Sequence, residues 1–161
     1  MYLNTRGRTL LHISKRRKNF DISGLLEDLN TVRFPKSYLR GLKQVQLTIL
    51  GKKYYGLYLD GNIWVDTKKK RKRSTVLETF VHEVAHHIHF NVDPGALLGL
   101  DREARCRGHY IHRKARGNDE EYFARGFERF YSLDPRKRES LRKRNPRLYN
   151  RICSLHYQHS R

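Results

Sequence analysis

With 161 residues, the chain has the size of a single domain built round one core, expected to take in residues 1–161. Its 35 Lys and Arg outnumber 16 Asp and Glu, a formal net charge of +19 that points to polyanionic or acidic partners. No run of about 18 apolar residues exists to span a membrane, so no membrane partner is expected.

Residues 1–20 contain Arg6, Arg8, Lys15, Arg16, Arg17 and Lys18 around the Leu10-Leu11 pair. They lack the apolar centre of a secretory signal and suit either a basic arm or an edge strand. Asp21 or Ser23 can cap a short helix through Leu25, Leu26 and Leu29 that ends near Asn30, and Phe34-Pro35 breaks the pattern. Three strand signals follow. Residues 44–50 alternate polar and apolar side chains, residues 54–59 are aromatic-rich, and residues 63–66 form the third. Asp60-Gly61-Asn62 supplies hairpin chemistry between the second and third. A small antiparallel sheet is the economical expectation.

Six consecutive cations, Lys68, Lys69, Lys70, Arg71, Lys72 and Arg73, then lead into a helix. Like charges repel and stay wet, so a solvated loop is the plain reading. A loop contacting phosphates or an acidic substrate is the sharper one, and the run also suits a nuclear localisation signal. Thr75 and Glu78 have capping-box spacing at the helix start.

The helix carries His82-Glu83-Val84-Ala85-His86. Two His at i and i+4 lie one above the other on a helix face, about 5–6 Å apart at Cβ, which lets both imidazoles reach one Zn²⁺. Glu83 projects beside such a metal, where a carboxylate can take a proton from water. With nine His and eight Glu in the chain, random placement gives only about 0.02 such matches. Val76, Leu77, Phe80, Val81, Val84, Ala85 and Ile88 make this a core helix, and polar groups on a buried helix need partners that a metal supplies. Asp93-Pro94-Gly95 should stop it near Asn91.

Residues 94–118 are less readable. Asp119-Glu120-Glu121 opens a second helix in which Phe123, Ala124, Phe127, Phe130 and Tyr131 recur at helical spacing, and Asp134-Pro135 ends it. Two further helical pieces follow, split by Asn145-Pro146, with eight cations against Glu139 alone between Arg136 and Arg151. The fold class expected is α+β, a sheet followed by helices.

A catalytic zinc needs a third protein ligand and an open position. His89 and Asp93 follow His86 by three and seven residues, and neither is a His at the sixth position where a metzincin has one. Glu120 and Glu121 are better placed, and helical phase slightly favours Glu120, which lies on the centre of the Phe127 face.

The His82–His86 motif, followed by Glu121-Tyr122-Phe123-Ala124-x-x-Phe127, resembles the gluzincin arrangement of the anthrax lethal factor peptidase domain and its small phage and mobile-element relatives. Asp134-Pro135-x-x-Arg138-x-x-Leu141 and Pro146-x-x-Tyr149-x-x-Ile152 are similar to the tail of such domains. The resemblance covers roughly residues 62–153. It implies a minimal zincin fold, a Zn²⁺ cofactor, His82, His86 and Glu121 as ligands, Glu83 as general base of a metallopeptidase, and the strand 63–66 as the edge that pairs with extended substrate. Arg125 stands where the family has another Glu four residues after the ligand, and Lys114 where lethal factor has a Tyr. Transition-state stabilisation would then fall to Lys114, Tyr110, His109 or His112.

The two cysteines, too few for a disulfide framework, imply a reducing, cytoplasmic compartment. They share one spacing, in Cys106-x-x-His109-x-x-His112 and Cys153-x-x-His156-x-x-His159. Cys106, His109, Cys153 and His156 are therefore candidates for a second, structural zinc. The sequence thus favours a zinc endopeptidase whose substrate is an acidic or nucleic-acid-associated protein, as in crosslink-repair proteases or repressor-cutting proteases. The alternative is a non-catalytic DNA- or RNA-binding module with a structural zinc, nuclear or nucleoid-associated, in which basic loops and exposed Tyr contact phosphates and bases.

Overall fold

Alternation at residues 44–48 buries Val45 and Leu47 on one face of a strand, β4 (Gln44–Thr48). In the computed structural model, which describes residues 4–5, 8–9, 11–13, 20–51, 54–68, 71–97, 100 and 118–160, β4 lies inside a four-stranded sheet. Two short strands, β1 (Asn4–Thr5) and β2 (Arg8–Thr9), pair separately, and β3 (Leu11–Ile13) begins the main sheet. Its order is β3, β4, β6 (Asn62–Asp66), β5 (Gly56–Leu59). The register pairs Val45 with Ile63 and Leu57 with Trp64. Segment 11–13 is thus an edge strand.

The sheet is mixed, which corrects the expectation of an antiparallel one. β4 runs parallel to both β3 and β6, and only β5 runs antiparallel to its neighbour. Burial accounts for the order. Ile63 and Val65 of β6 are fully buried, whereas Leu57 and Leu59 of β5 are 45% and 57% exposed. The strand with the more apolar inner face takes the centre, and β5 is left as the outer strand, its far edge unpaired among the described residues. Asp60 and Gly61 both have positive φ, 47° and 79°, which is the backbone of the type I′ turn joining β5 to β6.

Five α-helices lie among the described residues. Asp21 caps α1 (Ile22–Thr31) by accepting from Gly24 N at 2.8 Å. The central helix α2 (Arg73–His87) has Lys72 as its N-cap, three residues before the Thr75 of the capping-box expectation, and has no side-chain cap. Glu78 is drawn instead to Ser132 Oγ and Lys137 Nζ, at 2.7 and 2.6 Å. A π-helical turn, Ile88–Val92, extends α2 and closes with Asp93 N donating to Ile88 O. Asn118 caps α3 (Asp119–Phe130), Asp134 caps α4 (Pro135–Arg144), and Pro146 opens α5 (Pro146–His159).

The core lies between α2, α3 and the sheet. Val76, Leu77, Val81, Val84 and Ala85 of α2 are fully buried, as is Phe127 of α3. Phe127 meets Tyr38 edge-on at 5.4 Å between ring centres, and Tyr131 at 4.9 Å. Replacing such a ring by Ala typically costs about 3–5 kcal/mol. Among the described residues no helix is long and apolar enough to cross a membrane.

The cationic run is partly neutralised by the fold. Arg71 donates to the buried Asp66 carboxylate at 2.7 Å and lies 3.7 Å over the Tyr55 ring centre. Arg73 joins α2 to α1 by binding Asp28 at 2.6 and 3.2 Å and Asp21 at 2.7 Å. Lys68 is 3.7 Å from Asp66, Lys72 is exposed, and Lys69 and Lys70 lie outside the described residues.

Candidate metal centre

Helical spacing on α2 puts the rings of His82 and His86 5.0 Å apart, and α3 packs across them. Glu121, in the first turn of α3, brings Oε1 to 3.4 Å from His86 Nε2 and 3.7 Å from His82 Nε2. One ligand atom from each of the three residues falls within 4.8 Å of the others, so the group could hold a metal ion. Among the described residues it is the only such group of three or more. Glu120 faces elsewhere, with Oε1 3.8 Å from His89 Nε2. Helical phase pointed to Glu120 because it measures angle round α3 alone, whereas the way α3 crosses α2 decides which first-turn carboxylate meets the His pair.

Glu83 is 7% exposed beside the pair, and burial raises its pKa above the ordinary carboxylate value. A chain of close contacts positions it. A Cβ on Gly56 would overlap the Glu83 carboxylate and lie 2.8 Å from Thr79 Cγ2, so β5 passes directly over this face of α2. An isolated glycine inside a strand pattern is the sequence signal of such an approach.

The electrostatics of the metal-free site are those of a buried His between carboxylates. Burial lowers the pKa of His82, but Glu121 and Glu128 outweigh it, and the result is raised to about 9. Contacts from His82 and His86 hold Glu121 well below the usual carboxylate range. Burial works against ionising Glu128, yet His82 and Arg125 bring its pKa down.

A cavity of about 730 Å³ opens over these residues. Tyr54, Tyr55, Gly56 and Leu57 form one wall, with Phe90 and the α3 residues Glu120, Glu121, Arg125 and Glu128 on the others. No family model matches the chain, and no curated protein or solved structure matches it.

Several sequence expectations fall elsewhere. Tyr110, His109, His112, Lys114 and Cys106 lie outside the described residues. Cys153 and His156 sit on α5, where Cys153 packs half-buried against the core and His156 Nδ1 is 2.7 Å from the Tyr131 hydroxyl. Residues 63–66, expected as the edge that takes a peptide, form the interior strand β6. Among the described residues, the unpaired sheet edge at the cavity is that of β5.

Sequence reasoning missed Gly56 and Glu128. Glu128 Oε2 lies 3.4 Å from His82 Nδ1, and its signal was the two-turn spacing from Glu121, which repeats one helix face.

Proposed function

We propose that the chain is a zinc metallopeptidase of the gluzincin kind on a reduced zincin fold, acting on an acidic or nucleic-acid-associated protein. The observation that carries this reading is the convergence of His82, His86 and Glu121 beside a buried Glu83, beneath a free strand edge. Zinc–ligand bonds of about 2.0–2.1 Å give a tetrahedral site donor–donor edges of about 3.3–3.4 Å. The separations of 3.4 and 3.7 Å from Glu121 are close to that. Two imidazoles with one carboxylate are also a donor set of catalytic zinc, which keeps a fourth position open.

Zinc held there would polarise the scissile carbonyl and lower the pKa of water to about 7. Glu83 would accept the proton of the attacking water and deliver it to the leaving amine. Its raised pKa suits that role, since a base is most effective with a pKa near the working pH. An extended peptide would add to the free edge of β5, with exposed Tyr54, Tyr55, Leu57 and Leu59 offering apolar contact. The cationic surface would hold the substrate or its nucleic acid outside the cavity, in a reducing compartment of the cytoplasm, nucleoid or nucleus.

The second reading is a non-catalytic nucleic-acid-binding module with a structural metal. Exposed cations on α4 favour it, with the Arg136 side chain 90% and the Lys143 side chain 70% exposed. Glu83 separates the two, because a structural site gains nothing from a buried carboxylate there. Metal analysis of wild type, with proteolysis of a broad pool of unfolded and DNA-bound proteins, is the test. Glu83→Gln should keep zinc and fold while cleavage falls by about 10²–10⁴. A zinc-loaded wild type that cuts nothing Glu83→Gln spares would leave the binding module.

A further inference from the structure

His82 Nδ1 is buried and makes no well-formed hydrogen bond, yet Glu128 Oε2 stands 3.4 Å away. An imidazole that gives Nε2 to a metal carries its proton on Nδ1, and a buried N–H without an acceptor is costly. His82 Nε2 faces Glu121 and His86, so Nδ1 is the nitrogen left over.

The Glu128 oxygen that faces Nδ1 also accepts from Arg125 Nη1 at 2.7 Å. The three side chains are 8%, 17% and 28% exposed, so water screens them little. All the partners come from one face of α3. Glu121 supplies an oxygen to the His pair, Arg125 follows one turn later, and Glu128 follows two turns later. An Arg–Glu pair at i,i+3 on an open helix surface would be worth only a few tenths of a kcal/mol. This one is turned inward against a buried imidazole of the neighbouring helix.

We infer that Glu128 is a positioning residue that fixes His82 with its proton on Nδ1, and that Arg125 holds Glu128 to that task. The inference rests on the metal centre proposed above. It assigns Arg125 a use as a brace for a carboxylate supplied from the next turn of α3.

The test is zinc affinity of the full chain, measured with Zn²⁺ alone against a chromophoric chelator, with circular dichroism of each metal-free variant as the fold control. Glu128→Ala should bind zinc about 10–100-fold more weakly. Glu128→Gln keeps an acceptor oxygen and should recover part of the loss. Arg125→Met should weaken binding less, and should add nothing once Glu128 is Ala. Nitrogen-15 spectra of zinc-loaded wild type should show His82 protonated at Nδ1, an outcome that needs no variant to fold. Wild-type affinity in Glu128→Ala, or an unprotonated His82 Nδ1, overturns the inference while leaving the metal centre standing. A wild type that takes up no zinc overturns both.

Discussion

Gly56 of β5 lies so close over Glu83 of α2 that a methyl group at position 56 would occupy the space of the Glu83 carboxylate. The free strand edge and the proposed base are therefore in contact, with no side chain between them.

That contact makes Gly56→Ala a probe of catalysis rather than of the metal. The added methyl must displace Glu83 or lift β5, while His82, His86 and Glu121 are untouched. Peptidase activity should fall by about 10²-fold, the usual effect of misplacing a catalytic group by about 1 Å. Zinc stoichiometry, measured on the same sample, should stay at the wild-type value. Undiminished kcat/KM in Gly56→Ala would show that β5 does not hold Glu83 in place.

Zinc content of two neighbouring variants separates the carboxylates at the start of α3. Glu121→Ala should lose most of the metal, because its Oε1 is the oxygen facing both His Nε2 atoms. Glu120→Ala should retain it, since that side chain faces His89. The opposite pattern would mean that α3 is turned about its axis in the loaded protein.

Much of this arrangement was legible in the sequence because it rests on periodicity and local chemistry. The apolar face of α2, the Asp60-Gly61 turn and the Asp134-Pro135 and Asn145-Pro146 breaks are written in neighbouring residues, and each lies where expected. What was not legible depends on how separate segments meet. Strand order is a competition for burial between β5 and β6, which residues 54–66 alone do not decide. The choice of Glu121 over Glu120 depends on how α3 crosses α2. Glu128 was visible only as a two-turn repeat, which becomes meaningful once His82 Nδ1 is seen facing it.

Proton competition gives the metal centre a pH signature. In the metal-free protein His82 titrates near 9, its burial being outweighed by Glu121 and Glu128, and Glu83, His86 and Arg125 also face it. A metal must displace that proton, so apparent zinc affinity should fall about tenfold per pH unit below about 9. The stability of the metal-free protein follows the same group. A folded pKa above the unfolded value of 6.5 means that His82 contributes its full stabilisation below pH 6.5 and loses it as pH rises through about 9. Glu121 and Glu128, with lowered pKa values, contribute above the ordinary carboxylate range and lose that contribution in acid. Melting temperatures of metal-free protein from pH 6 to 10 should therefore decline toward the alkaline end. A flat profile would remove the raised His82.

The members of the cationic run divide by what they touch. Arg71 is 15% exposed at its side chain and binds the fully buried carboxylate of Asp66, whose other oxygen accepts from Leu50 N at 2.9 Å. Removing Arg71 leaves the buried Asp66 carboxylate with only the longer 3.7 Å contact to the more exposed Lys68, so the loss approaches the roughly 3–5 kcal/mol of a broken buried pair without reaching it. Arg71→Ala should thus lower the denaturation midpoint strongly and change the salt dependence of DNA binding little. Lys72 is exposed, and Lys72→Ala should alter stability by no more than about 0.5 kcal/mol. If this surface contacts phosphates, log K for duplex DNA falls with log[salt] at roughly −0.9 per phosphate neutralised, and Lys72→Ala should reduce that slope by about one contact. DNA affinity that ignores salt between about 50 and 200 mM would remove nucleic acid as a partner, and the +19 charge would then have to serve an acidic protein substrate.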